Sequence, residues 1–166
     1  GELLGALVVV VTLGYLAIQI RQNTAQQKRE ETVSVQRGQN EVLTQLQDPA
    51  TVRSYAMMAE KGRAANPEDR SRAIIFLVQY LNHFQIVYDL YQLGSLDEDR
   101  YKFWESVAVA WVASKGLREW WDEDNGKLGF EPTIRSLLDT KLNDPNNAPR
   151  GADEIWDFLS ANSWRA

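Results

Sequence analysis

Residues 3–20 read LLGALVVVVTLGYLAIQI. These eighteen positions carry no charge, and only Thr12, Tyr15 and Gln19 have a polar side-chain group. As a helix the run spans roughly 27 Å at about 1.5 Å per residue, close to the hydrocarbon thickness of a bilayer. A buried core helix is one competing reading, but Val8 to Val11 with flanking Leu and Ala would need protein on every side. A cleaved signal peptide is another, and it needs a short apolar region with a small-residue cleavage site. Here the run ends in Ile20-Arg21-Gln22-Asn23 with Lys28 and Arg29 close behind, which is a stop-transfer flank. The preferred reading is a single transmembrane helix. Arg21, Lys28, Arg29 and Arg37 follow it and only Glu2 precedes it, so the excess of cations predicts a soluble domain on the cytoplasmic side of the inner membrane.

Everything beyond the run is helix-patterned, and the expected fold class is all-α: an N-terminal transmembrane helix continuing into a small cytoplasmic helical bundle. Residues 1–22 are the anchor and 23–47 a polar helical extension of the same rod. Within the extension Val33, Val35, Val42, Leu43 and Leu46 gather toward the C-terminal end. The bundle occupies 48–142, a linker 143–152 and an aromatic tail 153–166. Asp48-Pro49 and Asn66-Pro67 are helix starts, with a capping side chain followed by proline at the first helical position. The first predicts a helix over 49–61 that stops at Gly62, with Val52, Tyr55, Ala56 and Ala59 on one stripe.

The second start predicts a helix to about Leu93. Ile74, Leu77, Leu81, Phe84, Tyr88 and Tyr91 recur at 3–4 spacing, and Phe76, Tyr80, Val87 and Leu90 fill a neighbouring face. A helix apolar over so much of its circumference belongs at the centre of the bundle. Ser95 and Glu98 have capping-box spacing for the next helix. That helix should run to about Ser114, point Phe103, Trp104, Val107 and Trp111 inward, and end at Lys115-Gly116. A short helix follows over 117–124, and Glu131-Pro132 opens a last one to about Leu142 that buries Ile134, Leu137 and Leu138. The linker holds two Pro, three Asn and a Gly.

Composition narrows the function classes. The chain has 166 residues, a net charge of −5 and no Cys, so disulfides and thiolate metal sites are excluded. Its basic residues are scattered, which argues against a nucleic-acid partner. His83 is the sole histidine. It cannot build a structural zinc site without Cys, and Tyr80 occupies the position where a di-iron bundle would need Glu. The favoured role is a half-buried side chain bonded to a carbonyl or a Tyr. Asp122 to Gly126 looks calcium-like, but the loop register puts Trp121 at the first ligand position and Pro132 at the twelfth. The same Trp121 stands where a P-loop needs its first glycine. No catalytic residue, cofactor or metal ligand is nominated.

Partner contacts are the better candidates. Gly1 and Gly5 begin a small-residue pattern, continued by Ala6, Gly14 and Ala17, that would let another membrane helix approach. Six Trp all lie in the second half of the chain. Of these, Trp120 and Trp121 diverge by about 100° on a helix, so one should cap the core while the other packs on a neighbour. Trp156, Phe158 and Trp164 follow the linker, and must dock either on the chain's own domain or on a partner.

Residues 14–24 (GYLAIQIRQNT), Asp48-Pro49, residues 94–97 and 116–121 (GLREWW) with Phe130-Glu131-Pro132 together resemble an uncharacterised bacterial group of short, membrane-anchored helical proteins. The resemblance covers residues 1–142. That group has no assigned activity, substrate or catalytic residues, so the resemblance implies an architecture and leaves function open. The expectation is a non-enzymatic, single-span accessory or scaffold subunit. Its partners would be other membrane-protein subunits and the lipid bilayer, and it would need no cofactor. The rival is a membrane-tethered enzyme or sensor with a small-molecule pocket around His83 and the neighbouring Tyr residues.

Overall fold

The computed structural model describes residues 2–123, 126–145 and 157, with backbone alone for residues 2–12 and 14. Among the described residues all regular structure is helical, as the patterning predicted: α1 (Glu2–Thr44), α2 (Pro49–Lys61), α3 (Pro67–Gln92), α4 (Glu98–Val112), α5 (Lys115–Asp122) and α6 (Pro132–Leu142). Single 3₁₀ turns lie at Gln45–Gln47, Gly62–Ala64 and Gly126–Gly129.

Local chemistry explains the starts. Asp48 accepts from the Ala50 amide at 3.0 Å and Asn66 from the Asp69 amide at 2.9 Å. In both cases the next residue is a proline, whose missing N–H is one the first turn leaves unpaired anyway. Gly62, at φ 52°, closes α2 in a conformation that suits glycine.

The structure corrects two expected boundaries. The cap of α4 is Asp97, which accepts from the Arg100 amide at 2.9 Å, and Ser95 does not act as one. Both Ser95 and Leu96 donate their amides back to the Leu90 carbonyl, so Ser95 belongs to the turn that closes α3. Nor do Lys115-Gly116 terminate α4. That helix ends at Val112, and Lys115-Gly116 open α5.

The core is centred on α3, which packs against α1, α2 and α4. Trp111 is fully buried where α2, α3 and α4 meet. Tyr55 and Phe76 present ring edges to it, with centroids 4.8 and 5.0 Å away, the geometry that aromatic quadrupoles favour. The Tyr55 hydroxyl donates to the Trp111 carbonyl at 2.7 Å, so the polar end of this buried ring is satisfied. Further along α3, Phe84 is fully buried, and Tyr91 stacks on Tyr101 at 4.1 Å. α2 is tied to the start of α3 by the Ser54 hydroxyl, which donates to Asp69 at 2.6 Å. That bond, with help from Asn66, Arg53 and Arg72, holds the Asp69 carboxyl below the usual carboxylate range.

α1 is a single rod of 43 residues, about 65 Å long. Residues 15–30 are exposed throughout, and the helix turns inward only from Glu31 onward, with Val35 buried and Gly38, Val42 and Leu46 half-buried. Val33, in the same apolar stretch, is 52% exposed; it lies on the opposite side of the helix from Val35. Among the residues whose side chains are described, no helix is long and apolar enough to cross a membrane. Most of the expected anchor, residues 1–12 and 14, lies outside that description.

Candidate functional site

Two places gather the chemistry-bearing side chains of the described residues. The first is the seam beneath α1. Lys28, Val35, Gly38 and Val42 recur at intervals of three, four or seven residues, which keeps them on one face of α1, and Gln45 follows in the adjoining 3₁₀ turn. Lys28 Nζ donates to the Gly94 carbonyl at 3.0 Å, and Gln45 bonds Gln79 across the seam. Between these two ties lies His83. A side chain at Gly38 would put its Cβ 2.9 Å from His83 Nδ1 and 3.0 Å from Cε1, so the glycine is what lets α1 seat on the imidazole. Trp104 of α4 closes the other side, edge-on, with centroids 5.7 Å apart.

Burial lowers the His83 pKa below its ordinary value, which keeps the ring neutral at pH 7. Its Nε2 is buried without a hydrogen-bond partner. A neutral imidazole is chemically a possible ligand or base, but here it is enclosed by Gly38 and Trp104. No group of three His, Asp or Glu able to hold a metal ion occurs among the described residues.

The second place is the corner where α5, the Gly126–Gly129 turn and α6 meet, and it contains the GLREWW stretch. Each of those residues has a packing role. Gly116 lies against α2: a Cβ there would fall 1.9 Å from the Met58 carbonyl oxygen and 2.6 Å from the Gly62 nitrogen. Leu117 is fully buried. Arg118 donates to Asn143 at 3.0 Å and pairs with Asp122 at 3.4 Å, while the Glu119 carboxylate lies over Gly62. Trp120 covers Gly126, whose missing side chain leaves room for the indole. Trp121 is fully buried, stacks on Phe130 at 5.6 Å and donates its indole N–H to Asp139 at 2.8 Å. The expected division, with one ring on the core and the other on a neighbour, is not what the structure contains: both indoles are buried in the core, Trp120 also covering the Gly126 turn.

Beside this corner is an open cleft of about 420 Å³ lined by Lys127, Pro132, Arg135, Ser136, Asp139 and Thr140, with Asn143 at its end. Lys127 sits between Asp122 at 3.5 Å and Asp139 at 3.8 Å, so its charge is already shared by two carboxylates. A second shallow cleft, about 390 Å³, is lined by α1 residues alone, from Val33 to Thr44. The arrangement at both places holds helices together.

Of the residues expected to bind partners, Gly1, Trp156, Phe158 and Trp164 lie outside the described residues. Gly5 falls in the part of α1 described by backbone alone. The sequence reading missed the Lys28–Gly94 tie, which joins positions 66 residues apart, and the close approach of Gly116 to α2. A glycine inside a helical pattern was the only available signal for the second. No known protein family, curated protein or solved structure matches the chain.

Proposed function

We propose that this chain is a non-catalytic, single-span accessory or scaffold subunit of a larger bacterial membrane complex, with its bundle on the cytoplasmic side. The main support is the outer half of α1. Leu13, Tyr15, Leu16, Ile18 and Ile20 are between 45% and 65% exposed. At about 100° per residue they are distributed around the whole helix, not along one stripe. A single partner helix would cover only one side of such a cylinder, whereas hydrocarbon would cover all of it. The eighteen-residue run they belong to contains no charge, and Arg21, Lys28 and Arg29 follow it as the positive flank of a cytoplasmic domain. The GLREWW stretch is occupied with packing, and His83 is enclosed, which leaves attachment to other subunits to the span and to Trp156, Phe158 and Trp164.

Two measurements test this reading. The full chain should stay in the membrane pellet under alkaline carbonate, and mild detergent should release it with stoichiometric partner subunits. Extraction by carbonate would refute the anchor. Elution as a lone chain would refute the subunit role and favour a membrane-tethered enzyme or sensor.

A further inference from the structure

We propose that the corner between α3 and α4, residues 93–96, is a second membrane contact that rests Leu93 against the lipid headgroup layer; this builds on the membrane reading of α1. α1 is continuous from Glu2 to Thr44, so the bundle's position along it sets each element's height above the apolar run. Lys28 meets Gly94 and Gln45 meets Gln79, so α3 runs antiparallel to α1. Its C-terminal end is therefore the end that faces the apolar run.

The heights follow from helix geometry. Lys28 is eight residues past Ile20, about 12 Å along the axis. Side chains on a helix lean toward its N-terminus, so Lys28 Nζ lies closer to the apolar run than the Lys28 Cα does. The Gly94 carbonyl is 3.0 Å from that Nζ. A headgroup layer is about 5–8 Å thick on each face, the difference between the full bilayer and its hydrocarbon core. The corner thus lies at or just beyond the outer edge of that layer, at the end of the bundle nearest the apolar run.

Leu93 stands at this corner. It is 76% exposed, the most exposed of the described large apolar side chains. The turn that holds it is fixed: Gly94 has φ 70°, its amide donates to the Tyr91 carbonyl at 2.9 Å, and the Ser95 amide donates to the Leu90 carbonyl at 2.9 Å. At the acidic start of α4, Asp97 pairs with Arg100 at 3.3 Å and Glu98 with Lys102 at 2.7 Å, while Asp99 beside them adds a third carboxylate. Two of the three carboxylates at this corner are thus balanced by cations. Ile75, also exposed on α3, lies eighteen residues before Leu93, about 27 Å farther from the membrane.

The chain has no cysteine, so single labelling sites can be introduced cleanly. Leu93→Cys, Ile75→Cys and Leu13→Cys would each be made in the full chain, labelled with a polarity-sensitive fluorophore, and reconstituted in phosphatidylcholine vesicles. The vesicles would carry spin-labelled quenchers either at the headgroup or deep in the acyl chain, and helical circular dichroism would check that each variant is folded. The Leu13 label should be quenched by the deep probe. At Leu93, quenching by the headgroup probe should be several-fold stronger than by the deep probe, and at Ile75 neither should act. A quenched Leu13 label with an unquenched Leu93 label would overturn the corner contact and leave the anchor standing. An unquenched Leu13 label would overturn the anchor and the contact with it. Equal quenching at Ile75 and Leu93 would mean that the bundle lies flat on the bilayer, and would also overturn the corner contact.

Discussion

Gly116→Ala is the sharpest test of how α5 sits on α2. The added Cβ would fall 1.9 Å from the Met58 carbonyl oxygen, 2.6 Å from the Gly62 nitrogen and 2.7 Å from the Gly62 Cα. All three are backbone atoms, so no side-chain rotation relieves the clash. Overpacking typically costs about 1–3 kcal/mol, and an obstruction made of backbone belongs at the upper end. Alanine recovers at most about 1 kcal/mol of helix propensity over glycine. The net loss should be about 2 kcal/mol, which in a chain of this size lowers the melting temperature by roughly 4–8 °C. Gly129→Ala is the control, because nothing lies within 4 Å of its Cβ position and its φ is not positive. Thermal melts of the full chain in mild detergent, followed by helical circular dichroism, would measure both. If Gly116→Ala melts with the parent chain, the close approach of α5 to α2 is wrong.

Two further outcomes follow from the core. Phe84→Ala empties a fully buried position on the central helix and should cost about 3–5 kcal/mol, enough to leave the bundle largely unfolded in a urea titration. For His83, burial lowers the folded-state pKa below the ordinary 6.5, so the unfolded chain binds the extra proton first. Stability should be full above about pH 6.5 and fall as the pH drops from there through the folded-state value; His83→Gln should flatten that part of the melting-temperature profile, and an unchanged slope would show that another group sets it.

The features that could be read from the sequence are those whose cause is local. A capping oxygen followed by proline marks a helix start within two residues, and α2 and α3 begin where Asp48-Pro49 and Asn66-Pro67 place them. The 3–4 spacing of Leu77, Leu81 and Phe84 marks the central helix because one helix face buries all three. Features that depend on what arrives from elsewhere were misread. Ser95 and Asp97 both have side chains suited to capping α4, and the choice is made by the Leu90 carbonyl, which holds Ser95 in the preceding turn. Gly116 read as a stop signal because glycine commonly ends helices; its real cause is the α2 backbone, invisible in the local pattern. Val33 and Val35 are the same residue type two positions apart, and only the placement of α3 decides that Val35 is the buried one. The candidate site was less legible still, because GLREWW as a string says nothing about whether its charged and aromatic groups face a ligand or one another.

The seating of α1 on the bundle gives the rod a mechanical meaning. The ties run from Lys28 to Gln45, about 26 Å of helix, with Val35 buried and Gly38 against His83 between them. A contact of that length fixes both the tilt and the rotation of α1 relative to α3, which a flexible tether would leave free. Arg21 to Gln47 contains no proline and Gly38 as its single glycine, so the helix has no internal hinge of the usual kind. The glycine that is present lies inside the seam, where its lack of a side chain draws the two helices together. Whatever holds the outer half of α1 therefore also orients the bundle. In a membrane complex this would present the same faces of α3 and α4 to neighbouring subunits in every copy, with no ordering step required when they dock.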